Sequence, residues 1–388
     1  MKTVGHKAGW IMLSPAIWLA NGIVTVSGDT ITGVEYKGKG GYPHPVIDHG
    51  PGVIMPALVN AHTHLTLSHL SGKVMTDGSF PNWIMSMMEE AKILGIQEAY
   101  GAACQAALGL KESGVGLVGE FGPHFPIAEM MSDAGLWGSV WLELFGDNLK
   151  LPHLPDELDD FRFSYAGHAP NTVSPRLLKH IKSEDKKMGA RFCIHLAESE
   201  EETQFLMTGG GIWADFLNGF GIDFSKWKCW GKRPVALADE LGLLDGNTLA
   251  VHLLQVTKQE ISLLAERKVG VCLCPRSNLK LHGRLPDINA FLDEGVLPAI
   301  GTDSLASVNS LSVFDEMSFI GGHFPDIRPD DILGMATVNG ARAIGRNDLA
   351  TIGPGKKARL IYVNLEAASP MEAAEGLVNG AAKTIKWI

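Results

Sequence analysis

The sequence predicts a TIM-type (β/α)8 barrel of class α/β, with a small β-sandwich domain built from both ends of the chain. Three observations support this fold. Eight short apolar segments alternate with longer helical segments, which is typical of parallel strands that close into a barrel. Metal-binding residue types follow several of these segments, where such barrels place their chemistry. Strand-like segments also occur near both termini, outside this alternation.

Size and charge exclude several classes of protein. A chain of 388 residues can bury a large core, and a net charge of −10 argues against nucleic acid as a partner. Five cysteines do not suggest a disulfide framework and favour a reducing compartment. The apolar segment 10–20 is interrupted by Ser14 and Pro15, so we predict neither a membrane span nor a signal peptide. The expectation is a soluble cytoplasmic protein, and the sequence leaves homo-oligomer formation open.

The elements follow one another in a regular order. Residues 1–55 contain short strands separated by glycines, and 358–364 is a further strand that can pair with them. We therefore predict accessory segments at 1–55 and 347–388 around a catalytic barrel at 56–346. The eight predicted barrel strands are 53–61, 115–120, 138–145, 161–166, 191–196, 248–252, 269–274 and 296–301. Each is expected to be followed by a helix, and the clearest helical segments are 82–113, 127–134, 175–188, 258–268, 288–294 and 331–344.

Six polar residues at the ends of five of these strands form a candidate metal site. They are His62, His64, His168, His195, His252 and Asp303. His62 and His64 are two residues apart, so an extended strand end directs both imidazoles to one side. Taken alone, the His-x-His pair has a structural explanation and Asp303 is equally a turn residue. Imidazoles and a carboxylate at successive strand ends together favour a divalent transition metal.

At this point the sequence resembles the amidohydrolase superfamily and its nucleoside deaminase branch. The resemblance rests on segment 55–64, which ends in Asn-Ala-His-Thr-His, and on the His-Leu-Ala-Glu segment 195–198. Segment 168–174 is similar to the strand-four motif of that branch, with Asn171 where tyrosine is usual. Residues 301–303 with Ser307 are similar to its strand-eight motif. The resemblance extends over essentially the whole chain.

The resemblance implies a metal-dependent hydrolase with one divalent ion, either zinc or iron(II). Its ligands would be His62, His64, His195 and Asp303. Glu198 would then carry protons and His252 would polarise the substrate, while Asp303 would also accept a proton. From the residues alone, Glu198 is equally the solvated start of an acidic helix. Segment 163–168 contains no lysine, which argues against a bridging carbamate and a second metal.

The resemblance also suggests an adenosine-like purine nucleoside as the substrate. Expected substrate contacts are Trp83, Glu90, His168, Arg276, Asn278 and Ser307. Segments 274–278 and 301–307 are together similar to enzymes that deaminate aminodeoxyfutalosine in menaquinone synthesis. Aminodeoxyfutalosine is therefore the preferred substrate, and Arg276 is a candidate for binding its carboxylate. A surface ion pair between Arg276 and Asp287 or a neighbouring residue is the structural alternative. Methylthioadenosine or adenosine, an amide or chlorotriazine substrate, and an inactive ligand-binding relative stay open as alternatives.

Overall fold

The computed structural model describes residues 2–35, 43–75, 80–122, 126–155, 158, 160–227, 230–379 and 384–388. In these ranges no helix combines the length and the apolar character that crossing a membrane requires. Four cysteines are free thiols, namely Cys104, Cys193, Cys272 and Cys274. Cys229 lies outside the described residues.

An eight-stranded parallel sheet forms the centre of the protein and confirms the predicted barrel. Seven short strands precede it: β1 (Thr3–Lys7), β2 (Trp10–Ser14), β3 (Ile17–Ala20), β4 (Ile23–Ser27), β5 (Thr30–Glu35), β6 (Val46–Asp48) and β7 (Val53–Pro56). The barrel strands are β8 (Leu58–Thr63), β9 (Val115–Gly122), β10 (Trp137–Leu144), β11 (Phe161–Gly167), β12 (Phe192–Leu196), β13 (Thr248–His252), β14 (Gly270–Leu273) and β15 (Ala299–Ile300). Their order in the sheet follows the chain, and every neighbouring pair is parallel.

The first and last barrel strands meet where the metal-site residues begin. The main-chain N–H groups of Thr302 and Asp303 both donate to the carbonyl of His62, each at 3.0 Å. Gly301 allows this approach, because a Cβ there would lie 2.6 Å from the Cβ of His62. A side chain at Gly301 would therefore separate β15 from β8 at the point where the barrel closes.

Helices surround the barrel. The first connection contains a 3-10 helix (Leu65–Leu70) and α1 (Phe80–Glu112), and α2 (Pro126–Asp133) follows β9. The middle helices are α3 (Pro175–Met188), α4 (Glu200–Thr208), α5 (Ile212–Gly219), α6 (Pro234–Glu240) and α7 (Lys258–Glu266). The last ones are α8 (Pro275–His282), α9 (Ile288–Asp293), α10 (Val313–His323), α11 (Pro329–Met335), α12 (Val338–Ala343) and α13 (Pro370–Asn379).

The chain ends share one β sandwich, as the sequence predicts. One sheet has the order β5-β4-β1-β6 and the other contains β7, β2, β3 and two late strands, β16 (Leu360–Val363) and β17 (Ile385–Trp387). The side chains of Ile11, Val24, Ile54 and Leu360 pack together between the two sheets. Helix α13 instead packs against the barrel helices α10 and α11. The domain boundaries at residues 55 and 346 stay predictions.

Three predicted elements differ from the structure. Segment 53–61 is two strands, because the chain leaves the accessory sheet at Ala57, whose N–H donates to Arg359. Segment 331–344 is broken into α11 and α12 by the non-helical backbone of Thr337. The expectation of a helix after every strand is wrong for β10, since the described residues between β10 and β11 contain none. Pro152 and Pro155 interrupt that connection, and proline disrupts a helix interior.

Candidate metal centre and active site

Four predicted ligands converge at the C-terminal mouth of the barrel. His62 and His64 end β8, His195 lies near the end of β12, and Asp303 follows β15. The Nε2 atoms of His62 and His195 are 3.3 Å apart. Oδ1 of Asp303 lies 4.0 Å from Nε2 of His62 and 3.8 Å from Nε2 of His64. All four side chains are buried. The fold thus brings together groups that lie up to 241 positions apart in the sequence.

The chemistry of this cluster fits a divalent metal. The potential ligand atoms of His62, His64 and Asp303 lie within 4.8 Å of one another, as do those of His62, His195 and His252. Burial and the neighbouring histidines hold the pKa of His62 and of His195 well below its usual value. Both rings are therefore neutral at pH 7, which is the form in which imidazole binds a metal. Such nitrogen and carboxylate donors suit zinc and related ions.

Main-chain carbonyl groups fix the orientation of two ligands. Nδ1 of His64 lies 3.0 Å from the carbonyl oxygen of Phe121, and Nδ1 of His195 lies 3.0 Å from that of His168. A carbonyl oxygen only accepts, so each Nδ1 carries the proton and each Nε2 keeps its lone pair for the metal. Glu143 lies near both Nδ1 atoms, at 3.7 Å from His64 and 3.5 Å from His195. Because each Nδ1 donates its proton to a carbonyl, this third group of potential ligands, His64, Glu143 and His195, offers no Nδ1 lone pair to a second metal ion.

Asp303 is held by two serine hydroxyls. Ser277 and Ser307 both donate to Oδ2 of Asp303, at 2.6 and 3.0 Å respectively, which leaves Oδ1 facing the histidines. Asp303 also has φ of +63°, and His252 has φ of +73°. This left-handed conformation costs free energy in a non-glycine residue and persists where the surrounding structure fixes it. Both strand ends are thus held in unusual conformations that direct polar side chains into the mouth.

Glu198 lies inside the site rather than in solvent. Its Oε1 is 3.8 Å from Nε2 of His252 and 3.4 Å from Nε2 of His282. Burial acts to raise the pKa of Glu198, but His252 and His282 outweigh it, so the pKa is lowered overall. The main-chain N–H groups of Ala197 and Glu198 donate to the buried carboxyl of Glu202, which fixes the turn. The alternative of a solvated helix-start residue does not fit a side chain that is only 15% exposed.

A cavity of about 440 Å³ opens from this cluster. Glu198, His252 and Asp303 lie at its inner end, together with Glu143. Much of the remaining wall is apolar: Leu67, Phe80, Trp83, Ile84, Met87, Met88, Phe145, Trp213, Phe216, Leu217, Phe220, Ile222 and Leu281. No lysine or arginine is among the described residues that line it. The volume is within the range of small-molecule sites.

The predicted substrate-binding residues occupy three kinds of position. Trp83 and His168 line the cavity. Asn278 and Ser307 are buried and contact the site residues instead, since Nδ2 of Asn278 lies 3.2 Å from Nδ1 of His252. Glu90 is not among the residues that line the cavity. Their substrate contacts stay predictions.

Arg276 also lies away from the cavity lining. Its guanidinium donates to the carbonyl of Ser310 at 3.1 Å and to the side chain of Asn309, and it lies 3.7 Å from buried Glu316. The partner in the alternative ion pair is Glu316 rather than Asp287, and the pair is largely buried rather than on the surface. The carboxylate of Asp287 instead caps α9 by accepting from the N–H of Ala290. The side-chain interactions of Arg276 stabilise the loop after β15.

Three acidic or basic residues of the site are missing from the sequence prediction. Glu120 and Glu143 lie at the ends of β9 and β10, so the strand-end rule that found the histidines also applies to them. Glu120 accepts from the N–H of Leu65 with both oxygens, at 3.0 and 3.1 Å. His282 ends a helix rather than a strand, and no local pattern in the sequence indicates its contact with Glu198.

Known proteins share this architecture. Residues 53–385 match the amidohydrolase family. A 5-methylthioadenosine/S-adenosylhomocysteine deaminase of Moorella thermoacetica is 31% identical, with 89% of this chain and 82% of that protein covered. A 5'-deoxyadenosine deaminase of Methanothermobacter thermautotrophicus is 29% identical, with 91% and 84% covered.

A solved structure shows the same fold over nearly the whole chain. The crystal structure of Helicobacter pylori aminofutalosine deaminase in complex with methylthio-coformycin aligns with a TM-score of 0.84 at 22% identity. The alignment covers 99% of this chain and 97% of that one. Together with the family match over residues 53–385, these findings show that the chain belongs to the amidohydrolase family.

Proposed function

We propose that this protein is a metal-dependent aminohydrolase that replaces the 6-amino group of an adenosine-like nucleoside with oxygen and releases ammonia. The observation that carries the proposal is the buried histidine and aspartate cluster, which shares one cavity with Glu198. A metal site and an adjacent carboxylate are the two elements that hydrolysis of an aromatic C–N bond requires. The names of the two curated relatives support the same reaction class.

His62, His64, His195 and Asp303 are proposed to hold one zinc or iron(II) ion. Three imidazoles and one carboxylate oxygen make a four-point donor set that this chain can supply from buried, pre-oriented side chains. Segment 163–168 has no lysine that could form a bridging carbamate. When bound, the ion lowers the pKa of a water molecule and so supplies a nucleophile at neutral pH.

Glu198 is proposed to move the protons. Its lowered pKa keeps it ionised, so it accepts a proton from the attacking water and passes it to the departing nitrogen. Asn278 donates to Nδ1 of His252, which places the single ring N–H proton on Nε2, on the side of Glu198. His252 then donates a hydrogen bond from Nε2 as charge develops on the reacting oxygen. Oδ1 of Asp303 accepts the second proton of the same water and gives it up to the adjacent ring nitrogen of the product. The two protons of the water thus end on ammonia and on the product, and both carboxylates are regenerated.

The walls of the cavity support a nucleoside whose 5' substituent is apolar and uncharged. Trp83, Phe80 and Trp213 offer aromatic surface, while the described part of the lining carries acidic residues and histidines but no lysine or arginine. Glu143 is a buried carboxylate with no hydrogen-bond partner for Oε1, and it would repel an anionic tail. We therefore prefer 5'-deoxyadenosine or methylthioadenosine over aminodeoxyfutalosine, whose expected partner Arg276 is engaged elsewhere.

Ammonia release from the nucleosides, and chloride release from a chlorotriazine, test these choices directly. The zinc-loaded protein should be incubated with adenosine, 5'-deoxyadenosine, methylthioadenosine, S-adenosylhomocysteine, aminodeoxyfutalosine and a chlorotriazine. We expect the highest kcat/KM for the two nucleosides with small apolar 5' groups. A preference for aminodeoxyfutalosine would overturn the substrate assignment alone. Turnover of the triazine only, or of no compound, would overturn the deaminase proposal.

A further inference from the structure

One helix reaches three different reactive groups of the candidate site. Ser277, Asn278 and His282 all belong to α8. Ser277 donates to Asp303, Asn278 contacts His252, and Nε2 of His282 lies 3.4 Å from Oε1 of Glu198. Asn278 and His282 are four positions apart, so they share one face of the helix. The two histidines that meet Glu198 are thus both held by α8, one directly and one through Asn278.

The local structure fixes the ring of His282. Gly283 follows it with φ of +63° and donates its N–H to the carbonyl of Leu279, which ends the helix at His282. The ring packs on Phe80 of α1, with centroids 4.6 Å apart, and Phe80 stacks in turn on Trp83. The side chain of His282 is only 6% exposed. It is not among the residues lining the cavity, although its neighbour Leu281 is.

The position of His282 leaves one oxygen of Glu198 for chemistry. His282 and His252 both approach Oε1, at 3.4 and 3.8 Å. A carboxylate that carries protons needs one oxygen directed at the reacting atoms in a narrow range of angles. Contact at Oε1 restrains rotation of the carboxylate, and neither histidine contacts Oε2 in the described structure. Unlike His252, His282 reaches Glu198 without lining the cavity itself.

We propose that His282 is a positioning residue that acts through Glu198, an inference that rests on the proposed aminohydrolase function. It donates Nε2–H to Oε1 of Glu198 and keeps the carboxylate in the orientation needed for proton transfer. It does not touch substrate or metal. Its loss should therefore reduce kcat while leaving KM and metal content nearly unchanged.

Two substitutions of His282 and one matched control test the proposal. His282→Leu removes the donor and His282→Gln keeps an N–H near the place of Nε2. Lys280→Ala changes an exposed residue of the same helix. For the zinc-loaded enzymes we expect His282→Leu to lower kcat about tenfold to a hundredfold, as for a hydrogen bond to a charged group. His282→Gln should recover most of that loss, and Lys280→Ala should match the wild type.

Each outcome separates this inference from the function on which it rests. In a Glu198→Gln background, His282→Leu should cause no further loss of kcat, because its effect passes through the carboxylate. Equal losses in His282→Leu and His282→Gln, additive effects with Glu198→Gln, or an unchanged kcat would overturn the positioning role. The positioning role would also be overturned if lost zinc or unfolded protein accounted for the whole loss of activity in His282→Leu. An inactive wild type overturns the proposed function, and this inference with it.

Discussion

The hydroxyl of Ser277 lies 2.6 Å from Oδ2 of Asp303, which leaves Oδ1 as the oxygen that faces His62 and His64. Ser277 is fully buried, so water does not replace its hydroxyl readily. We expect Ser277→Ala to weaken zinc binding by about tenfold to a hundredfold, as for other groups that orient a metal ligand. Competition with a chelator would measure the change in Kd. Ser262→Ala, at an exposed site on α7, is the control, and equal affinities would contradict the prediction.

The four proposed ligands should bind one metal ion. Purified protein should contain about one equivalent of zinc or iron per chain, by analogy with mononuclear sites of four protein ligands. His62→Ala and Asp303→Ala should each lose metal and ammonia release together, because each removes one of the four proposed ligands from a site that is built around all of them. His323→Ala removes an exposed histidine and should change neither. Two tightly bound ions per chain by elemental analysis would be inconsistent with the assignment.

Glu198→Gln separates proton transfer from metal binding. The amide keeps the shape of the side chain but cannot accept the proton of the attacking water. We expect kcat to fall by about a hundredfold to ten-thousandfold, with normal metal content. Glu200→Gln changes an exposed carboxylate in the first turn of α4 and serves as the control. Near wild-type turnover in Glu198→Gln would leave Glu198 a structural role only.

Asp185 gives the pH dependence of stability a defined sign. Burial raises its pKa from 3.8 to about 8, and its Oδ2 has no hydrogen-bond partner. Between these values the folded chain binds a proton that the unfolded chain has released, so stability falls as pH rises through this window. Asp185 lowers the free energy of unfolding by at most about 1.4 kcal/mol for each pH unit in this window.

Asp185→Asn should remove the part of the pH dependence of stability that Asp185 contributes. Glu202 and Glu316 also have a pKa raised to about 8, so the variant retains part of the wild-type decline. Urea unfolding at pH 5 and pH 8 would measure the difference, with Glu294→Gln as an exposed control. A variant with the wild-type difference between the two pH values would contradict the assignment.

Arg276→Met should affect stability more than substrate choice. Its guanidinium bonds to Asn309 and Ser310 and faces Glu316, and it is not among the lining residues of the cavity. We expect the free energy of unfolding to fall by about 1–3 kcal/mol, because buried partners lose a charged donor. The ratio of kcat/KM for adenosine and for aminodeoxyfutalosine should stay constant. A selective rise in KM for the carboxylate-bearing compound would restore Arg276 as a substrate contact.

The sequence predicts those parts of the site that lie at strand ends. A parallel barrel brings all C-terminal strand ends to one face, so His62, His195, His252 and Asp303 could be grouped without coordinates. Their distances, and which oxygen of Asp303 faces the histidines, depend on side-chain packing that no spacing in the sequence specifies.

The remaining site residues reach the mouth through tertiary contacts. Ser277 and His282 act from a helix whose position depends on how α8 packs against α1 and α10. Proximity along the chain to a strand end suggests a substrate contact for Arg276, and that contact stays a prediction. In the structure the guanidinium of Arg276 bonds to Ser310 and Asn309 in the loop after β15.

The closure of the barrel at Gly301 has a consequence for how the protein is made. His62 and His64 lie on the first barrel strand, and Asp303 lies just beyond the last one, so the ion proposed to bind there would join the two edges of the seam. During synthesis, more than 200 further residues follow His62 and His64 before Asp303 leaves the ribosome. Metal uptake would then come late and would lock the final strand in place. In metal-depleted protein, amide hydrogen exchange should accordingly be fastest along this seam rather than elsewhere in the barrel.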